Sequence, residues 1–563
     1  MKFSEMPYVR PDLDALQALT NETVAKMDAA TSAAEQLEAL KAYEKAYSSV
    51  YTVSTLAYVR HTINTKDEFY EGEQNWMDEA MPRMQAIEQQ INQALLRSPY
   101  RDGLAEKLGS ILFTNLEIAV RAFKPELMEL MMEENKLTSE YQKLLAGAMV
   151  EFDGQTLPLT KLTPYQTGTD RAVRKAAYET AGNFYDAHQA ELDEIFDKLV
   201  KNRTAQAKLL GHENYLALGY DRLGRNCYGP EKVAAFREQI ANDMVPIVAK
   251  VKEHQKARLG LDHMYFYDDG LLFPDGNAKP QGTADDILAA GKEMYHNLSA
   301  ETAEFIDFMY ENELLDVLSK EGKAPGGYCC GFTDYNAPFI YSNFNGTDGD
   351  VDVLTHEAGH AFAAFRAFRK DYPLQLLNPT MEACECHSMS MEFLTQDYHN
   401  LFFGPATRKY EVGHCEDALI FIPYGCMVDE FQHKVYENPD LTPAERNELW
   451  LSLEKKYRPW MDFGDLPFYS RGALWQRQMH IYQNPFYYID YCMAQTVAFQ
   501  FWILSMENRE DAWQRYLTFV DKAGTCTFEE LVQSAGLKLP YDAGCIKEIG
   551  EAISKWIDEN PLN

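Results

Sequence analysis

Apolar positions recur at helical spacing through residues 11–150, where alanine, leucine, glutamate, glutamine and methionine dominate and glycine and proline are sparse. That texture predicts a run of helices. A seam at Asp153-Gly154-Gln155-Thr156-Leu157-Pro158, followed by Thr163-Pro164, ends it. Helical periodicity resumes after Asp170 and continues to about Arg258, with an interruption from Gly224 to Pro230. Asp268-Asp269-Gly270 and Pro274-Asp275-Gly276 supply turn chemistry within a second break, Gly260 to Gly282. A helical region is expected from Ala284 to about Lys320. Glycines and alternating aromatics then predict one or two short strands between Gly326 and Phe344. After Gly349 the helical pattern returns and persists, with no internal repeat. The expected fold is mostly α, with a small β-sheet just before residue 350.

Composition narrows the class of protein. The 563 residues carry 53 basic and 86 acidic side chains, a formal net charge of −33. Such a chain repels phosphate backbones and anionic lipid surfaces, so neither nucleic acid nor membrane is an expected partner. Hydrophobic residues at 46% and charged residues at 25% are globular values and exclude general disorder. Ten cysteines without regular spacing, no signal-like apolar core and no membrane-length apolar run predict a cytoplasmic protein with reduced thiols.

The chemistry concentrates in His356-Glu357-Ala358-Gly359-His360. On a helix, positions i and i+4 share a face, so the two imidazoles can hold one metal ion while Glu357 reaches a bound water as general base. Asp352 is the expected helix cap; Val353, Leu354, Ala361, Phe362 and Phe365 form its apolar side. Gly359 weakens the helix by about 1 kcal/mol relative to alanine, which points to close packing or ligand approach. A zinc site needs a third protein ligand. Ala363 and Arg366 stand where the extended metzincin pattern requires glycine and histidine, so a carboxylate from a following helix is expected instead. Asn378-Pro379 reads as the start of that helix, which carries Glu382, Glu385 and Glu392. Spacing alone does not choose among the three.

His356-Glu357-x-x-His360, with Glu385-x-x-Ser388-x-x-x-Glu392 beginning 25 residues after His360, resembles the thimet oligopeptidase and oligoendopeptidase F family. The similarity is greatest to the bacterial, Pz-peptidase-like branch. A third block, His480 to Tyr491, strengthens it. The resemblance implies a large, two-lobed helical zincin-type metallopeptidase. Its deep central channel would admit short unstructured peptides and exclude folded proteins. It implies one zinc ion held by His356, His360 and Glu385, with Glu392 in the outer shell. It also implies that His480, Tyr488 and Tyr491 bind the substrate carbonyl and steady the intermediate. The expected organisation is an N-terminal helical region, residues 1–163, forming part of the channel wall. A catalytic region, residues 164–563, follows, with its core at about 326–495.

Further expectations attach to individual residues. His387 is a candidate to orient a neighbouring carboxylate. Residues 339–344 are expected to form an edge strand to which a peptide could add, making Phe339, Tyr341 and Gly327 candidate substrate contacts. Cys384 and Cys386 point about 200° apart on a helix and read as buried thiols. The leading functional expectation is a zinc oligoendopeptidase, monomeric or a small homo-oligomer, cutting internal bonds of short peptides. The alternatives are a dipeptidyl-carboxypeptidase-type exopeptidase, with Arg471 a conceivable carboxylate anchor, and a non-catalytic helical peptide-binding protein.

Overall fold

Asp12, Ser32 and Asp67 each precede a helical run, and each side chain accepts a hydrogen bond from a backbone N–H of the first turn that follows. The helices so started, Leu13–Ala29, Ala33–Ile63 and Glu68–Leu96, enclose a core that includes Leu16, Met27, Leu40, Tyr43, Ile87 and Ile91. The computed structural model describes residues 1–324, 326–370 and 372–562. Among these, helices dominate, as the hydrophobic pattern predicts, and five short strands occur, of which the pattern announces only the two between residues 326 and 344.

Strands β1 (Met149–Phe152) and β2 (Gln155–Pro158) form a hairpin at the sequence seam. Asp153 and Gly154, with φ of 52° and 70°, supply the left-handed pair that a two-residue hairpin turn requires. β3 (Leu315–Leu318), β4 (Tyr328–Phe332) and β5 (Ala337–Phe344) make a three-stranded sheet in the order β3-β5-β4. β5 runs parallel to β3 and antiparallel to β4.

Two expectations fail here. The helix expected to reach Lys320 ends at Glu311, and the chain turns through Glu313, at φ 56°, into β3. The segment 339–344 is the central strand, not an edge, because β3 supplies a second neighbour that its short run of four residues did not announce.

The chain divides into two compact units, each assembled from three stretches. The first comprises Met1–Val120, Lys279–Thr407 and Leu504–Leu537; the second comprises Arg121–Ala278, Arg408–Ile503 and Lys538–Asn563. The expected sequence boundary near residue 163 falls within the second unit. The first unit contains the three-stranded sheet. The second has a core built around Trp450, Trp475 and Trp502, and it buries Arg174, Arg203 and Arg446. Each of these arginines bonds a carboxylate, Asp268, Glu134 and Asp197 respectively, as burying a charge requires. Among the described residues no helix is long and apolar enough to cross a membrane.

Candidate metal centre

The helix Gly349–Ala367 lies against β5 and buries Leu354, Ala361, Phe362 and Phe365. Its cap is Asp348 rather than Asp352, because Asp350 is drawn off to accept the backbone N–H groups of Asn345 and Gly346 and so fixes an earlier start. The second helix, Met381–Leu394, follows Thr380 rather than the expected Asn378-Pro379. The two helices meet at Gly359. A Cβ there would stand 2.6 Å from Ser388 Cα and 2.7 Å from the His387 carbonyl oxygen, so only glycine permits this approach. Close packing is therefore why the metal motif carries its unfavourable helix residue.

That approach brings the donor set together. Glu385 Oε2 lies 3.4 Å from His356 Nε2 and 3.5 Å from His360 Nε2, and one donor atom from each residue falls within 4.8 Å of the others. Glu392 separates from the other acids by its partner: His356 Nδ1 is 2.7 Å from Glu392 Oε1. With the Nδ1 proton donated there, the Nε2 lone pair faces Glu385. Glu382 is buried and stands outside the triad. Burial pushes the Glu385 carboxyl up, but His360 and His356 outweigh it and hold the group well below the usual carboxylate range. Ser388 Oγ adds a hydrogen bond to the same oxygen at 3.2 Å. Two imidazoles and one ionised carboxylate, converging on one point, fit a tetrahedral zinc site with an open fourth position.

Glu357 is buried beside this triad, and its Oε2 has no hydrogen-bond partner among the described residues. Burial raises its pKa. Gly327 lies against it, since a Cβ at 327 would be 3.6 Å from Glu357 Oε1. Cys329 and Cys330, on β4, also lie within electrostatic reach of Glu357.

Three expected contacts take other roles. Phe339 is fully buried and packs on Phe3, with ring centroids 4.6 Å apart. Tyr341 is also buried, donating its hydroxyl to the carbonyls of Thr62 and Ala324. Both are core residues of a central strand, since helices cover both of its faces. His387 does not orient a carboxylate. Its ring meets the edge of Phe519 at 5.6 Å, Nε2 is buried without a partner, and burial lowers its pKa to about 3. Its carbonyl accepts the Tyr516 hydroxyl at 2.8 Å, which fixes the backbone on which Gly359 rests.

His480, Tyr488 and Tyr491 belong to the second unit, where they form one cluster. The His480 ring lies 4.8 Å from Tyr488 and 6.1 Å from Tyr491. Sequence reasoning missed two supports. Tyr424 OH donates to Gln478 Oε1 at 2.8 Å, so Gln478 Nε2 donates to His480 Nδ1, also at 2.8 Å. His480 therefore carries its proton on Nε2. No spacing rule links Tyr424 to Gln478, which are 54 residues apart. Arg471 pairs with Asp186 through Nη1, while its Nε and Nη2 have no hydrogen-bond partner among the described residues.

A histidine pair on one helix, a glutamate from a second helix packed across it and a small sheet beneath define a large helical fold of the zincin type. The chain belongs to Peptidase family M3, whose sequence profile matches residues 165–551, while the Peptidase M3 N-terminal domain matches residues 3–123. It is similar to Pz peptidase A, solved with an inhibitor, at 46% identity and a TM-score of 0.94 over 99% of both chains. Oligopeptidase PepF of Bacillus subtilis (strain 168) is 26% identical over 67% of this chain. The plasmid oligoendopeptidase F of Lactococcus lactis subsp. cremoris is 25% identical over 66% of it. The chain spans 56% and 61% of the lengths of these two relatives.

Proposed function

We propose that this chain is a zinc-dependent oligoendopeptidase that hydrolyses internal bonds of short, unstructured peptides. The observation that carries the reading is the convergence of His356 Nε2, His360 Nε2 and Glu385 Oε2 beside an unpartnered Glu357 oxygen. The names of the relatives, oligopeptidase and oligoendopeptidase F, agree with it.

His356, His360 and Glu385 would hold the ion. Zinc, when bound, polarises a carbonyl and lowers the pKa of water toward ~7. Glu357 accepts the proton of the attacking water and returns it to the leaving amine. Glu392 fixes the His356 tautomer and so keeps Nε2 available as a donor atom. Tyr488 and Tyr491 act as neutral phenol donors to the substrate carbonyl oxygen, and His480 offers its Nε2–H to the same oxygen. Burial keeps the Tyr488 phenol protonated, since it raises that pKa well above the ordinary value. β4, with one side unpaired among the described residues, is the edge available to an extended peptide, in place of β5. The cytoplasm is the proposed location.

The test is a digest of peptides blocked at both ends, run on the wild type and on Glu357→Gln with metal content measured in parallel. The expected result is internal cleavage and one zinc per chain in the wild type. The variant should retain its zinc and lose 10²–10⁴-fold in turnover. Full activity of the variant would remove Glu357 from the mechanism, and cleavage only of peptides with a free C-terminus would favour the exopeptidase.

A further inference from the structure

The chain has 34 tyrosines, and among the described residues only Tyr51 and Tyr58 are exposed, at 37% and 44%. Both lie on the helix Ala33–Ile63. Seven residues is close to two helical turns, so the two rings stand on one stripe about 10 Å apart along the axis. Neither phenol has a hydrogen-bond partner among the described residues, and partial burial raises the pKa of both. Single exposed aromatics need no explanation, but an aligned pair with unused hydroxyls is a surface feature of a kind that binds.

The stripe borders β4 along its length. Ser48 and Thr52 bond Thr333 just beyond the strand, and Thr62 bonds the Tyr328 hydroxyl at 2.6 Å at its start. Tyr58 packs on the Tyr328 ring at 5.1 Å. Tyr51 lies within electrostatic reach of Cys329 and Cys330, and these two thiols are within reach of Glu357. Between the two rings the helix surface is small: Ser54 turns its hydroxyl back to the Val50 carbonyl at 2.8 Å, and Thr55 turns its own to Tyr51 at 3.0 Å. The helix surface between the two tyrosines therefore has hydroxyls that are already bonded to its own backbone. Two rings carried about 10 Å apart along one helix leave a spacing that suits one aromatic side chain between them.

We propose that Tyr51 and Tyr58 form a side-chain subsite that takes an aromatic residue of a peptide laid along the free edge of β4. The subsite rests on the oligopeptidase reading and adds a side-chain preference to binding that main-chain pairing alone would leave indifferent.

The test uses blocked peptides of one length in which a single phenylalanine is moved through an all-alanine background. Wild type, Tyr51→Ala, Tyr58→Ala and the double variant Tyr51→Phe/Tyr58→Phe are compared by kcat/KM and by calorimetric binding. The wild type should favour phenylalanine at one fixed distance from the cleaved bond by about five- to tenfold. Each alanine variant should lose that preference through KM, and the phenylalanine variant should keep it. Wild-type cleavage without a positional preference, or a preference that survives in the alanine variants, overturns the subsite. If no peptide is cleaved but the wild type still binds the phenylalanine peptide more tightly and the alanine variants do not, the oligopeptidase reading falls and the subsite stands.

Discussion

Glu392 accepts the Nδ1 proton of His356 at 2.7 Å, although 36 residues separate them. The bond fixes which nitrogen of the metal-facing imidazole carries hydrogen, and a glutamine at 392 would retain shape but lose the charge that makes the ring a better donor. Glu392→Gln should therefore weaken zinc binding by about 10–100-fold, as such outer partners generally do. A competition titration against a chromophoric chelator reads the change directly. Activity lost in the variant should return when zinc is added in excess. An unaltered zinc affinity would reduce Glu392 to a packing residue.

Gly359 tests the helix crossing itself. Alanine is the better helix former by about 1 kcal/mol, so an isolated helix would gain. Here the new methyl meets backbone, Ser388 Cα at 2.6 Å and the His387 carbonyl at 2.7 Å, which cannot rotate away. Overpacking of this kind costs about 1–3 kcal/mol, so the clash wins. Gly359→Ala should lower the denaturation midpoint and push Glu385 away from the histidines, with zinc affinity falling in step. A more stable variant with unchanged affinity would contradict the crossing.

Much of this was legible because helical periodicity is strong and the metal motif is local. His356, Glu357 and His360 sit on one turn, so no tertiary knowledge was needed to group them. Spacing alone did not separate Glu385 from Glu382 and Glu392; the family resemblance did, and the crossing at Gly359 supplies the physical reason. β3 is four residues long and follows a helix, too short for a period of two to declare itself, and missing it turned a central strand into an expected edge. Phe339 and Tyr341 then looked like substrate contacts when both faces of their strand are covered. The support of His480 by Gln478 and Tyr424 crosses 54 residues and leaves no pattern in the chain.

Acid stability should depend on Glu134. Burial pushes its carboxyl up, but Arg203 and Arg222 pull it down further, to about 2. The bonds are short: Arg203 Nε at 2.6 Å, Arg222 at 3.0 Å and Gln206 at 2.8 Å. A group depressed from 4.5 in this way contributes stability that is complete above about pH 4.5 and is lost as the pH falls through its folded value. The contribution is about 3 kcal/mol at neutral pH. Urea midpoints measured from pH 7 down to pH 3 should fall for the wild type. They should fall less steeply for Glu134→Gln, which starts from a lower stability because Arg203 keeps a buried charge. Parallel curves for the two proteins would remove Glu134 as a source of the acid limb.

The backbone just ahead of Tyr488 depends on Arg225. Phe486 holds a φ of 68°, a left-handed conformation that costs a non-glycine residue about 1–2 kcal/mol. It is held there from both sides: Gln432 Oε1 accepts its N–H at 3.0 Å, and Arg225 donates to its carbonyl at 2.6 Å. The same guanidinium pairs with Asp490 at 2.7 Å, and both charges are buried. Arg225→Met leaves the Asp490 charge without its counter-ion, which costs about 3–5 kcal/mol. Arg225→Met/Asp490→Asn removes both charges, so it should recover more than half of that loss and leave mainly the cost of an unsatisfied Phe486 carbonyl, about 1–3 kcal/mol. Denaturation of the wild type, both single variants and the double variant gives the coupling energy. Additive losses would show that Arg225 and Asp490 act independently. A coupling of more than 1 kcal/mol would identify the pair as one unit that starts the helix bearing Tyr488 and Tyr491.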